Sequence, residues 1–277
     1  MNGFEIVPAA ELPLAEQASI ANQAFAGYVA GWNDLGAATL ARFLLVQGAD
    51  LFYSRFIRNM DGLLGFGYIN RTGNIVRLTG MGIIPTARGS GAAGDLLRHL
   101  FGEAKERGDE AMMLEVIEQN PRAVALYRRH DFREITRLPG WRRAAAPVEA
   151  ADVAAKVEEI SSTEALRFPS VREYPEIPWQ ISRHALAKAP MFRAFRAGGA
   201  CVAISDPEVP PIRFYGLTTA SGDWAELRRT LGAVLQRFAD HEFLAVAIWP
   251  EEYGSRLFEP LGFTREPLNQ FLMRRDF

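Results

Sequence analysis

"IIPTARGSGAAGDLLRHL", residues 83–100, decides how the rest of the chain is read. A strand-like apolar end meets a proline and Arg88. Then Gly89, Ser90, Gly91, Ala92, Ala93 and Gly94 run together, and a helix begins. One Ser, Asp or Asn would be enough to cap that helix. So much backbone without side chains leaves room for something else to come close. The helix places Leu96, Leu97, Leu100, Phe101 and Ala104 on one face, with Asp95, Arg98, Lys105 and Glu106 outside. Its first turn presents unpaired N–H groups and the positive end of the dipole, which suits an anion. Glycine lets the main chain lie against that anion, and Arg88 adds a charge. Phosphate or pyrophosphate is the natural guest. A P-loop would follow its glycines with Gly-Lys-Ser/Thr, whereas Gly91 is followed by Ala92-Ala93-Gly94. A dinucleotide fingerprint would follow the first strand of a βαβ unit, and this loop follows several hairpin strands.

Working outward, "ADLFYSRFIRN", "GLLGFGYIN" and "NIVRLTGMGII" read as strands, separated by the turn signals "NMDG" and "NRTG". Before them come a short strand, "FEIV", and two helices, "ELPLAEQASIANQAF" and "AATLARFLLVQ". After the glycine-rich helix come a buried strand, "EAMMLEVI", and a short helix, "NPRAVALYRRH", with Asn120 as cap and Pro121 at its first position. "DFREITR" is a further strand. The fold class is α/β (α+β): a mixed, mostly antiparallel central sheet flanked by helices.

Arg88, Gly91 and Ala93 match Arg/Gln-x-x-Gly-x-Gly/Ala, and the stretch resembles the acyl-CoA pyrophosphate loop of the GNAT acetyltransferase superfamily. "LEVIEQNPRAVALYRRHDF" is similar to that family's second signature, through Asn120, Ala123, Leu126, Tyr127 and Phe132. Asp131 departs from the family's usual glycine. The resemblance covers most of residues 1–137 and implies an acetyl-CoA-dependent N-acetyltransferase with a GNAT-like fold. It implies that Arg88, Gly89, Ser90, Gly91, Ala92 and Ala93 hold the pyrophosphate of acetyl-CoA. Met81, Gly82 and Ile83 would pair with the pantetheine arm, and Asn120 would touch it near the thioester. Tyr127 matches the family's general acid. Glu115 resembles the proposed base of ribosomal-protein N-terminal acetyltransferases, with Glu118 and a water chain as alternatives. Tyr28 and Trp32 fall where the family borders its acceptor pocket. The acceptor is a small-molecule amine or a peptide N-terminus. A non-catalytic acyl-CoA-binding regulatory module is the rival reading.

The composition agrees with a globular protein: 277 residues, 48% apolar and 23% charged, with a formal net charge of -2. Charges of both signs are interspersed, so no basic stripe points to nucleic acid. No apolar run approaches the ~20 residues of a membrane span. The N-terminal stretch lacks the basic-then-apolar pattern of a signal peptide. The single cysteine, Cys201, reads as a buried thiol and suggests a cytoplasmic setting. The four histidines lack metal-ligand spacing, so no metal is expected.

From Leu138 to about Pro169 the texture becomes Ala/Pro-rich, which sets a catalytic domain at 1–140 and a second domain at 150–277. The second half repeats the element order of the first. Helices are read at "QISRHALAKA" and "DWAELRRTLGAVLQRF", strands at "MFRAFR", "ACVAIS", "PIRFYGLTT" and "EFLAVAIW", and a short helix leads into "PLGF". "VRLTG" at 76 aligns with "IRFYG" at 212, an offset of 136, and "AVALYRRHDF" at 123 with "GSRLFEPLGF" at 254, an offset of 131. The five residues lost between these anchors fall at the glycine-rich loop. By the second offset Tyr127 corresponds to Phe258, Glu115 to Val246 and Asn120 to Glu251. The second half is therefore expected to be a degenerate copy without a pyrophosphate loop.

Overall fold

The computed structural model describes residues 3–31, 34–149, 153–154 and 156–277. It divides into two compact units, one of residues 1–135 with 271–277 and the other of residues 136–270.

The first unit opens with β1 (Glu5–Pro8), α1 (Leu14–Phe25) and α2 (Ala37–Gln47). The meander β2 (Asp50–Asn59), β3 (Gly62–Thr72) and β4 (Ile75–Ile83) follows. Then come α3 (Ala92–Glu106), β5 (Ala111–Ile117) and α4 (Pro121–Arg129). β1 to β4 pair antiparallel in chain order, and β4 pairs parallel with β5. The α3 residues Leu96, Leu97, Leu100 and Ala104 are buried against one sheet face with Val76, Leu78, Met112 and Leu114. Ala18, Ile20 and Ala21 of α1 pack with Leu40 and Leu44 of α2 against Phe56, Phe66 and Tyr68. Each strand's alternation thus supplies two apolar layers, as a sheet with helices on both faces requires.

β6 (Arg133–Arg143) starts in the first unit and continues into the second. The second unit then runs β7 (Glu158–Ile160), α5 (Ser162–Arg167), the single turn α6 (Arg183–Leu186), β8 (Phe192–Ala197), β9 (Ala200–Ser205) and β10 (Ile212–Thr219). It continues with α7 (Trp224–Arg237), β11 (Phe243–Ala245) and the turn α8 (Glu251–Tyr253), extended by a π-type turn to Phe258. β7 to β10 pair antiparallel and β10 pairs parallel with β11, the same sequence of pairings as in the first unit. The fold is duplicated.

The chain closes with β12 (Thr264–Asp276). In the first unit the strand beside β5 is β12, and in the second the strand beside β11 is β6. Most of β6 thus opens the second unit, and the end of β12 closes the first. This differs from the 1–140 and 150–277 division: the boundary falls between Ile135 and Thr136, and residues 271–277 return to the first unit. Composition marks where a chain turns irregular, and strand pairing does not follow composition. β6 runs on to Arg143, past the strand read as ending at Arg137. β12 was not expected at all, because Pro267, Asn269 and Gln270 interrupt its apolar alternation. The stretch "QISRHALAKA" keeps only one α-helical turn, and "EFLAVAIW" only three strand residues.

Candidate active site

A cleft of about 1140 Å³ opens in the first unit, where the end of α1, the end of β4, the start of α3 and one side of α4 meet. Met81, Gly82, Ile83, Arg88, Gly89, Gly91, Ala92, Ala93 and Asn120 all line it, as does Tyr28. Ser90 is not in its wall. Its hydroxyl donates to the Ala87 carbonyl at 2.7 Å and accepts from the Ala92 N–H at 3.3 Å, which ties the loop to itself. Trp32 lies outside the described residues.

The glycine loop has a local reason and leaves a chemical consequence. Gly89 at φ 82° and Gly91 at φ 96° occupy the left-handed region, where a side chain is strained. Gly91 is also the N-cap of α3 and brings no capping side chain. Among the described residues, the N–H groups of Gly89, Gly91, Ala93 and Gly94 have no intrachain partner. All four residues line the cleft, as do Arg98, Arg122 and Arg129. Arg98 pairs with Asp95, whereas Arg122 and Arg129 are exposed and carry no ion pair among the described residues. Burial, with Arg98 and Arg129 nearby, holds His130 of the same wall below the usual histidine range. The arrangement can hold an anion of several charges. Arg88 acts less directly than its charge suggests. Its guanidinium donates to the carbonyls of Ala24 at 2.9 Å and Ile83 at 3.3 Å, fastening the loop to α1 and β4.

Asn120 caps α4, its side chain accepting from the Ala123 N–H at 3.3 Å. Tyr127 lies behind the cleft lining, buried among core residues, its ring edge-on to Phe132 at 5.6 Å. Burial pushes its phenol well above the ordinary tyrosine range, and nearby Tyr28 adds to the rise. Glu115 is not in the cleft wall. Its carboxylate accepts from Arg77 at 2.7, 2.9 and 3.2 Å. Glu118, just past β5, is half-buried and also outside the wall. Arg77, Arg122 and Arg129 are not among the residues that the two motifs name. An arginine inside an apolar strand is a signal in itself, since a buried charge needs a partner.

Strand end, loop with free N–H groups, helix and capped second helix meet at one cleft. Residues 19–132 match the model of the Acetyltransferase (GNAT) family. The whole chain has the fold of GNAT proteins. A GCN5-related N-acetyltransferase of Sphaerobacter thermophilus superposes with a TM-score of 0.66 at 13% identity, covering 100% of this chain and 96% of that one. Another from Kribbella flavida gives 0.64 at 14% identity, covering 99% and 72%. A tandem GNAT protein from the clavulanic acid biosynthesis pathway gives 0.59 at 13% identity, covering 99% and 98%. No curated protein matches the sequence. The family's co-substrate is acetyl-CoA, and the residues of the cleft fit it: free N–H groups for a pyrophosphate and an open strand end for an arm. No helix among the described residues is long and apolar enough to cross a membrane. No cluster of three metal-ligating side chains occurs among them either.

Proposed function

We propose that the first unit moves an acetyl group from acetyl-CoA to a primary amine held in the same cleft. The carrying observation is that the unpaired N–H groups at the start of α3, the open end of β4 and Asn120 converge on one cavity. Those N–H groups would bind the pyrophosphate, residues 81–83 the arm, and Phe25 and Tyr28 would border a small amine or a peptide N-terminus. The amine nitrogen attacks the thioester carbonyl, the C–S bond breaks, the departing thiolate takes a proton from the Tyr127 phenol, and the phenolate regains one from the proton that the attacking nitrogen releases. Burial disfavours the phenolate, so this acid keeps its proton and stays neutral at neutral pH. The ammonium proton leaves through water in the open cleft, because both oxygens of Glu115 are held by Arg77. The rival, an acyl-CoA-binding module without turnover, draws on one observation: Tyr127 and Glu115 stand outside the cleft wall.

Incubation with acetyl-CoA and a panel of amines, read by a thiol reagent, separates the two. Amine-dependent release of CoA supports the enzyme; binding of acetyl-CoA without release for any amine supports the module. Tyr127→Phe should keep acetyl-CoA affinity and lower turnover by roughly 10²–10⁴, the reach of one general acid. The sign of the pH effect follows from the raised phenol. The protonated form is the active one, so its rate should not fall between about pH 8 and pH 10 for want of the acid. A decline centred below pH 10 that Tyr127→Phe abolishes would contradict it.

A further inference from the structure

Arg77 sits inside β4 and is only 2% exposed. Its neighbours Val76 and Leu78 belong to the core beneath α3, so by alternation it faces the opposite side of the sheet. There it meets Glu115, itself between the core residues Leu114 and Val116 on β5. Three hydrogen bonds join the two side chains, and the guanidinium also donates twice, at 3.3 Å, to the side-chain oxygen of Gln47, the last residue of α2. This place in the sheet matters. β4 and β5 pair from Ile75 and Ala111 as far as Leu78 and Leu114, and no further. Yet β4 continues to Ile83 and β5 to Ile117. On its other side β4 slips register at the same point. Ile69 faces Leu78 and Tyr68 faces Gly80, which leaves Thr79 as an extra residue. Such a bulge bends the strand that carries it. The ion pair therefore bridges the two strands where they part, and beyond the fork Met81, Gly82 and Ile83 line the cleft.

We infer that Arg77 and Glu115 are a positioning pair, with Gln47 as its third member, which sets the opening between β4 and β5 that holds the pantetheine arm of acetyl-CoA. The pair acts through the strands and takes no proton. This rests on the acetyl-CoA reading above. Removing one partner of a buried pair leaves an uncompensated charge, whereas replacing both by apolar groups of similar volume is often neutral.

The test compares R77M, E115L and R77M/E115L with the wild type in the full chain. Affinities are measured for acetyl-CoA and for adenosine 5′-diphosphate, which carries a pyrophosphate without the arm. R77M should lose about tenfold or more in acetyl-CoA affinity and stay within about twofold for the diphosphate, and the double variant should recover to within about threefold of wild type. Equal loss for both ligands would mean a merely structural role and overturn the inference. So would unchanged acetyl-CoA affinity in a folded R77M. The amine that releases CoA fastest gives a second readout. A double variant that binds acetyl-CoA normally but turns over more than about 100-fold slower would make Glu115 the base and overturn the inference. If R77M does not fold, E115L takes its place, with the same expected loss and the same overturning results. A wild type that binds no acetyl-CoA overturns the underlying reading and this inference together.

Discussion

Gly91 shows how one residue serves backbone and chemistry at once. Its φ of 96° strains any side chain, and as N-cap it brings none of its own to cover the first turn of α3. Gly91→Val should therefore weaken acetyl-CoA binding severely and also strain the loop, since a β-branched residue is least suited to positive φ. A folded Gly91→Val protein with wild-type affinity in a calorimetric titration would remove the loop from the site. Asp131 makes the complementary case. It holds φ 63° in the turn after α4, where the family usually has glycine, and its ion pair with Arg275 is long, at 3.9 Å. Left-handed backbone costs a side chain about 1–2 kcal/mol, while glycine in the unfolded chain takes back about 0.4–1 kcal/mol. Asp131→Gly should thus match or slightly exceed the wild type in thermal unfolding. Asp131→Ala, which lacks the short polar side chain that eases this conformation, should be less stable by about 1 kcal/mol. An alanine variant more stable than the glycine variant would contradict this account. At this scale much was legible. The glycines, Asn120 and the alternation that turns Glu115 away from Leu114 and Val116 are all local features. The Arg77 pairing was not legible, because its partner lies 38 residues away on another strand.

Elements were legible where their periodicity was complete and hidden where pairing had to supply it. α3 and β2 to β5 fall where spacing and turn signals put them. β12 does not, and yet it is the strand beside β5. Met273 is fully buried in the α3 core, and Phe271 and Phe277 pack against that core. The Arg275 guanidinium stacks on Phe101 at 4.4 Å and donates to the His130 carbonyl at 3.1 Å, next to the cleft wall. The Phe277 N–H bonds the Glu110 carbonyl at 2.9 Å. Deleting residues 271–277 should therefore uncover the edge of β5 and lower thermal stability by more than Met273→Ala, itself worth about 2–5 kcal/mol. A fragment of residues 1–140, the division that composition suggests, should fail to fold into an acetyl-CoA-binding unit for the same reason. A truncated chain that keeps the wild-type melting temperature, or a 1–140 fragment that binds acetyl-CoA, would show that β12 is dispensable.

At the scale of the whole molecule, the duplication raises the question of how many cofactors one chain holds. The second unit repeats the strands and their pairings, but each feature that makes the first a candidate site has changed. Its loop before α7 carries Asp223, whose side chain accepts from the N–H groups of Ala225 and Glu226 at 2.9 and 3.1 Å. The helix start is thus satisfied from within, and two acids stand where an anion would need donors. Residues 216–219, matching 80–83 by the offset of 136, line a slot of about 50 Å³ closed by Tyr215, Trp224 and Tyr253. Phe258, at the place of Tyr127, is fully buried against Phe263 at 5.1 Å and has no proton to give. What the copy has kept is the apolar pattern a packed sheet needs. We therefore expect one acetyl-CoA per chain, held in the first unit. Calorimetry should give a stoichiometry near one, and Gly91→Val should abolish all of the heat rather than half of it. Two sites of similar affinity in the wild type, or half the binding left in the variant, would mean that the second unit opens to a cofactor that its helix cap and filled slot are built to refuse.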